Sequence, residues 1–303
     1  MIGVIFMDLK QLTYFVTIVD YKSFSKAAQK LHISQPSLSN AIKSLESDLG
    51  FQILDRNTRS IELTEAGAIL YSKAVQLLLE MDRVKKEMDE VKHIGSGEIQ
   101  LGMIESVKHW IPKVILQYND DFPNMRIKLT EVLSGDNVKN SLRNYKTHAI
   151  ITNQFIQEND IETIPLYNEK LVLVLHESNS LTNNSSVTLK DLVGEPFIIS
   201  SGGFQTREDV LNAFEMEDII PTIKYEIERF ETALSLVREG IGITLIPENY
   251  LQALPDNTLV KKSINSPALE RTVYLTYLKN RYVSPAIHTF INKTKQYFNV
   301  LPV

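Results

Sequence analysis

Residues 23–56 read SFSKAAQKLHISQPSLSNAIKSLESDLGFQILDR, and the reading of this stretch decides the fold around it. Phe24, Ala27, Ala28 and Leu31 share one face of a short helix over about 23–31. The two alanines leave room for another helix to come close. His32-Ile33 then turns the chain. Ser34 is placed to cap the next helix, and Pro36 sits in its first turn, where a missing N–H costs nothing. Leu38, Ile42, Leu45 and Leu49 form the inner stripe of that helix, and Gly50 ends it. Upstream, Leu9, Leu12, Phe15, Val16 and Val19 mark a further helix, with Asp8 as its N-cap. Two short helices around a tight turn predict a helix-turn-helix, which lays its second helix in a DNA groove.

The outer face of that second helix carries Gln35, Ser39, Asn40 and Lys43. Gln and Asn can pair with adenine edges, Ser with several bases, and Lys with phosphate. Taken alone, the same face suits any solvated surface helix. The short spacing between the helices, and the segment that follows, favour DNA. There, Ile53-Leu54 and 61–63 read as two short strands around the turn 57–60, a wing. Arg56 and Arg59 lie on it, within reach of backbone phosphate or the minor groove.

Bulk composition bounds the rest. The 303 residues are 43% hydrophobic and 23% charged, as in a soluble globular protein of two or three domains. Formal net charge is −5. Seven Lys/Arg and seven Asp/Glu balance in residues 1–66, so the head is neutral and DNA binding must rest on local charge placement. The absence of cysteine removes disulfides, Cys-ligated zinc and thiol catalysis, and fits a cytoplasmic protein. No apolar run reaches the ~18 residues of a membrane span. MIGVIF does not read as a secretory signal, and Met7 is a second candidate start.

From Thr64, an N-cap, to about Lys92 there is no proline, and the sole glycine is Gly67 near the start. Leu70, Ala74, Leu77, Met81, Val84, Met88 and Val91 step by four and three, the seam of a coiled coil. The helix is roughly 40 Å long at ~1.5 Å per residue. It could pack on its own domain, but charges flank the seam, and pairing with a second chain suits it better. A pair would set two recognition helices about one DNA turn, ~34 Å, or a multiple of it apart.

After the linker 93–97, strands over 98–103, 125–132 and 149–151 alternate with helices over 107–118 and 137–145. A second set follows from 171, with the strands 171–175, 197–199, 223–227 and 242–246. This rhythm predicts a mainly parallel sheet with helices on both faces, in two lobes with a cleft between them. Ligands in such sheets sit beyond the carboxyl ends of strands. Ser106, Ser134, Thr152, Ser200, Ser201 and Phe204 all follow predicted strands, and each hydroxyl reads equally as a helix cap or a ligand contact. Hydroxyls at helix mouths favour an anion such as a carboxylate.

The pattern resembles the LysR-type transcriptional regulators. Leu12, Phe15, Ser23-Phe24, Ala27-Ala28, Leu31, Ile33-Ser34-Gln35-Pro36, Leu38-Ser39, Ile42, Leu45-Glu46, Leu49-Gly50, Arg56, Arg59 and the run Leu63-Thr64-Glu65-Ala66-Gly67 carry the likeness. So does the glycine-containing segment 237–247. Leu54 stands where the family usually has Phe, and Asn40 where Arg or Gln is common. The resemblance implies groove contacts from Gln35, Pro36, Ser39 and Asn40, and backbone contacts from Ser23, Ser25, Lys43 and the wing arginines. It implies an α/β chain in three parts: a winged helix-turn-helix head (7–66), a dimerising linker helix (64–93), and an effector-binding domain (98–303) of the periplasmic-binding-protein type. Lobe 1 would be about 98–167 and 272–303, and lobe 2 about 168–271. Ser106 and Ser134 correspond to hydroxyls that touch the effector. The expected partners are double-stranded promoter DNA, a small-molecule effector, a second copy (a dimer, often doubled to a tetramer) and RNA polymerase.

Two other functions fit the two-lobed half less well. An enzyme would need a catalytic motif, and no G-x-S-x-G, Walker, G-x-G-x-x-G or H-E-x-x-H motif is present. The six histidines show no metal spacing, so neither metal nor cofactor is expected. A transport solute-binding protein would need an export signal and no DNA head.

Overall fold

The computed structural model describes residues 7–55, 61–93, 96–132, 134–251 and 258–300. They fall into two units, 1–88 and 89–303.

In the first unit, Asp8 and Gln11 cap helix α1 (Leu9–Tyr21) reciprocally: each side chain accepts the other's backbone N–H. Ser23 caps α2 (Phe24–Lys30), and Ser34 caps α3 (Gln35–Leu49). The turn between α2 and α3 runs through His32, whose φ of 55° is left-handed. Phe15, Ile18, Ala27, Ala28, Leu38, Ile42 and Leu45 form the core, while Leu49 is only partly buried. Strands β1 (Leu54–Asp55) and β2 (Glu62–Leu63) pair antiparallel, Leu54 opposite Leu63. The first strand starts one residue later than the sequence suggests. Ile53 is instead buried in the core, and its N–H goes to the buried Glu46 carboxylate, at 3.1 Å.

Thr64 starts α4 (Glu65–Lys92) by accepting the Gly67 N–H at 3.0 Å. Gly67 is required for packing: a Cβ there would lie 1.9 Å from the Ile53 carbonyl oxygen. The 28-residue helix is continuous, as the heptad pattern predicts.

The second unit is built on one sheet in two halves. In lobe 1, β3 (Glu98–Met103) pairs in parallel with β4 (Arg126–Glu131) and β5 (Ala149–Thr152). Helix α5 (Ile111–Asp121) covers one face, with Val114 and Tyr118 in the core. Helix α6 (Gly135–Arg143) covers the other, through Val138 and Leu142. The helix expected over 107–118 is broken: a 3-10 turn (Glu105–His109) precedes α5, which restarts around Pro112. In lobe 2, β7 (Phe197–Ser200) pairs in parallel with β8 (Ile223–Ile227) and β9 (Ile243–Pro247). Helix α7 (Gln205–Glu215) lies on one face; α8 (Phe230–Arg238) and α9 (Glu248–Leu251) lie on the other. Gly242 lets β9 start close to β7, since a Cβ would come within 2.4 Å of the Pro196 carbonyl oxygen.

Two antiparallel strands tie the lobes together. β6 (Ile161–His176) is 16 residues long. Its first part, to Lys170, pairs with β11 (Glu270–Leu278), and Leu171 onward pairs with β9 and with β10 (Leu259–Lys262). The change of partner falls at Lys170/Leu171 and the return at Glu270, within a few residues of the crossings read from sequence. Helix α10 (Pro285–Tyr297) closes lobe 1 against α5 through Phe290 and Ile291.

The last turn of α4 belongs to this second unit. Glu90 Oε1 accepts from His148 Nε2 at 3.1 Å and from the Arg281 guanidinium. His148 Nδ1 accepts the Gln100 N–H at 2.8 Å, which fixes the neutral tautomer with its proton on Nε2. Arg281 also donates to the Thr147 carbonyl at 2.8 Å and covers the Tyr145 ring.

Candidate DNA-binding face and effector cleft

Helix α3 is amphipathic, and its outward positions hold the expected polar residues. Gln35, Pro36, Asn40 and Lys43 are exposed, and Ser39 is half-buried. Ser25, exposed on α2, donates to Gln35 Oε1 at 3.4 Å, so the two helices meet at the start of the candidate face. Ser23 is half-buried and already accepts the Lys26 N–H as the cap of α2. Arg56, Arg59 and the turn 57–60 lie outside the described residues, as do Ile94 and Gly95 of the linker.

The seam along α4 divides in two. Leu70 packs on the head core and Ala74 is buried, so neither is free for a partner. Leu77, Met81, Val84, Met88 and Val91 are exposed, between 38% and 58%. An apolar row of this kind on a charged helix is costly in water and inexpensive against a second copy.

The cleft between the two lobes of the second unit lies beyond the carboxyl ends of β3, β5, β7 and β8. Ile104, Glu105, Ser106 and Asn153 line it from lobe 1. Phe204, Gln205, Thr206, Glu228 and Phe230 line it from lobe 2, with Arg271 where β11 begins. It holds a cavity of about 20 Å³, room for one water-sized group. Three contacts close the lobes on it. Glu105 Oε2 accepts the Phe230 N–H at the start of α8, at 3.1 Å. Arg229 pairs with Glu131. Lys108 Nζ lies 3.3 Å from the centre of the Tyr250 ring.

Beneath the cleft, the two crossing strands meet in a buried ion network. Arg271 donates from Nε to Glu169 Oε1 at 2.8 Å, and from Nη1 to Asp209 at 2.9 Å and Thr206 at 2.8 Å. Ser106 Oγ donates to the same Glu169 oxygen at 3.3 Å. Burial opposes the charge on Arg271, but Glu169 and Asp209 more than offset it and raise its pKa. Burial likewise pushes the neighbouring Tyr167 phenol upward, so it stays protonated and accepts the Trp110 indole N–H at 3.1 Å.

Of the six residues expected at the effector, Ser106 and Phe204 line this cavity. The other four do not. Ser134 caps α6, and buried Thr152 accepts the Gln154 N–H. The carbonyl of buried Ser200 takes Arg207 Nη1, and the N–H of Ser201 bonds Ile227 across the sheet. Each serves its own loop. Sequence reading missed Glu105, Glu228, Phe230 and Arg271. The first three follow strands, the signal that picked out the hydroxyls and Phe204 but was not carried to these neighbours. Among the described residues, no group of His, Cys, Asp or Glu is placed to hold a metal, and no helix is long and apolar enough to cross a membrane.

Residues 9–68 match the family described as bacterial regulatory helix-turn-helix protein, lysR family, and residues 93–299 match the LysR substrate binding domain. The chain is 30% identical over 292 residues, 96% of it and 98% of the relative, to an uncharacterized HTH-type transcriptional regulator, YybE, of Bacillus subtilis. It is 34% identical to the HTH-type transcriptional regulator BenM of Acinetobacter baylyi, over 80% of each chain. The crystal structure of full-length BenM superposes with a TM-score of 0.59 at 30% identity, covering 97% of both chains. That of full-length CbnR in complex with its target DNA gives 0.65 at 22% identity, covering 96% of this chain and 99% of CbnR. The chain belongs to the LysR family: it is a transcriptional regulator with an N-terminal DNA-binding head and a C-terminal effector-binding domain.

Proposed function

We propose that this regulator binds promoter DNA as a homodimer joined along α4, and that a small molecule in the lobe cleft changes how its two heads engage the DNA. The observation that carries the proposal is the exposed row Leu77, Met81, Val84, Met88 and Val91, which continues the helix leading out of the DNA-binding head. Gln35, Pro36, Ser39 and Asn40 would read bases, while Ser23, Ser25 and Lys43 would hold the backbone. Pairing two dimers would give a tetramer, and RNA polymerase would be the further partner at the promoter. The protein would act in the cytoplasm, with no catalytic step of its own, as its relatives are named regulators. The energetic demand on the effector is modest, because a coupling of ~1–3 kcal/mol changes DNA affinity about 5–150-fold.

A footprint at fixed salt on the DNA flanking the protein's own gene tests this. The expected result is protection of two half-sites in adjacent turns, altered by a metabolite that binds the cleft. Protection of one half-site by a single protomer would contradict it.

A further inference from the structure

The charges around the cleft point to the chemical class of its ligand. Arg271 is the cation in the lining, and it already faces two carboxylates, Glu169 and Asp209. Nearby, Arg229 is engaged by Glu131, and Lys108 sits on the Tyr250 ring. Against these committed cations stand Glu105, in the lining and itself accepting the Phe230 N–H, and Glu228, whose exposed carboxylate has no ion-pair partner among the described residues. Behind the lining, Glu169 Oε2 is fully buried without a hydrogen-bond partner among those residues. It belongs to the carboxylate shared by Ser106 and Arg271, both of which line the cavity.

With the cleft taken as the effector site, as proposed above, we infer that its ligand is an organic cation: an ammonium group on an apolar body. Glu105 and Glu228 would face the charge, and the rings of Phe204 and Phe230 would take the body and the near side of the ammonium. The water-sized space in the cavity matches an ammonium head, which is all donor. An anionic ligand could use the first turn of α7, which has no side-chain cap and whose Phe204, Gln205 and Thr206 line the cavity, but it would face both carboxylates there. To use the N-terminus of α8 it would have to displace Glu105 from the Phe230 N–H, and it would add a negative charge to a cavity with no uncommitted cation in its lining.

The test uses the full chain and a matched set of probes: phenethylamine, 2-phenylethanol and 3-phenylpropionate, with tyramine, agmatine and choline as further amines. Trp110, the single tryptophan, donates to Tyr167 beside Ser106 and supplies an intrinsic fluorescence signal; thermal melting supplies a second. At least one amine should give a saturable response and a raised Tm, with 2-phenylethanol and 3-phenylpropionate silent. Glu228→Gln should weaken that amine about threefold, as for an exposed charge pair. Phe230→Ala should weaken it about tenfold, through the lost ring face. A saturable response to 3-phenylpropionate that Phe230→Ala removes would overturn the cation assignment and leave the cleft as the effector site. Amine binding indifferent to both substitutions would overturn the cleft reading itself. Silence from every amine would also overturn the proposal.

Discussion

At the scale of single residues, the head and the cleft differ in how openly the sequence shows them. Ser39 is legible because helical periodicity fixes its face, and Leu38 beside it is fully buried. Ser39→Glu should weaken specific binding by about 1–3 kcal/mol or more, by placing a carboxylate against base edges and phosphate. A gel shift that matches wild type would remove α3 from the groove. Glu169 and Arg271 were invisible by comparison, since they meet across 102 positions and no short motif records such a pair. His148 was equally hidden. Burial holds its pKa below the ordinary 6.5, against the attraction of Glu90. The unfolded chain therefore takes up a proton near pH 6.5 that the native imidazole resists, and stability falls as pH drops through that value. Burial also opposes ionisation of Glu90, but His148 and Arg281 outweigh it and lower its pKa below 4.5, so acid costs stability there too. Melting temperature should fall between about pH 7 and 5, and His148→Gln should flatten that fall. An unchanged slope in the variant would refute the assignment.

At the scale of elements, α4 was readable almost to its ends, because a heptad row without proline leaves few alternatives. The sequence did not reveal that Leu70 serves the head, which follows from packing against residues far back in the chain, or that Ala74 is buried within the single chain. Met81 is 38% exposed in the single chain, so Met81→Lys should leave the protomer folded. It should weaken the dimer by roughly 1.5–3 kcal/mol for each Met withdrawn from the seam. Sedimentation at falling concentration would show it, and an unaltered dimer would place the interface elsewhere. Gly67 is tied to the contact of α4 with Ile53. Gly67→Ala should cost the head about 1–3 kcal/mol, read by denaturant unfolding, because the clash is with backbone. Strand β6 was half seen. Its apolar part from Leu171 read as a strand, while Pro165 and the interspersed polar residues concealed the first ten residues. Trp110 and Pro112 likewise broke a helix that hydrophobic spacing alone made continuous.

At the scale of the molecule, the order of a DNA-binding head, a long helix and a two-lobed domain was legible because each part has its own period. Which residues of the lobes face one another was not, because the cleft is made by β6 and β11 crossing twice. Arg271→Met should destabilise the second unit by about 3–5 kcal/mol, since it leaves Glu169 buried without its cation. Urea unfolding would measure that loss, and a variant as stable as wild type would show the network to be dispensable. The central claim is that two protomers, joined along α4, hold two α3 helices on one duplex. Sedimentation equilibrium of the full chain on a fluorescent fragment carrying its own promoter measures this directly. Two protomers, or four, per duplex, falling to none with Ser39→Glu, is the result the account predicts. One protomer per duplex, or equal affinity for random DNA, would contradict it.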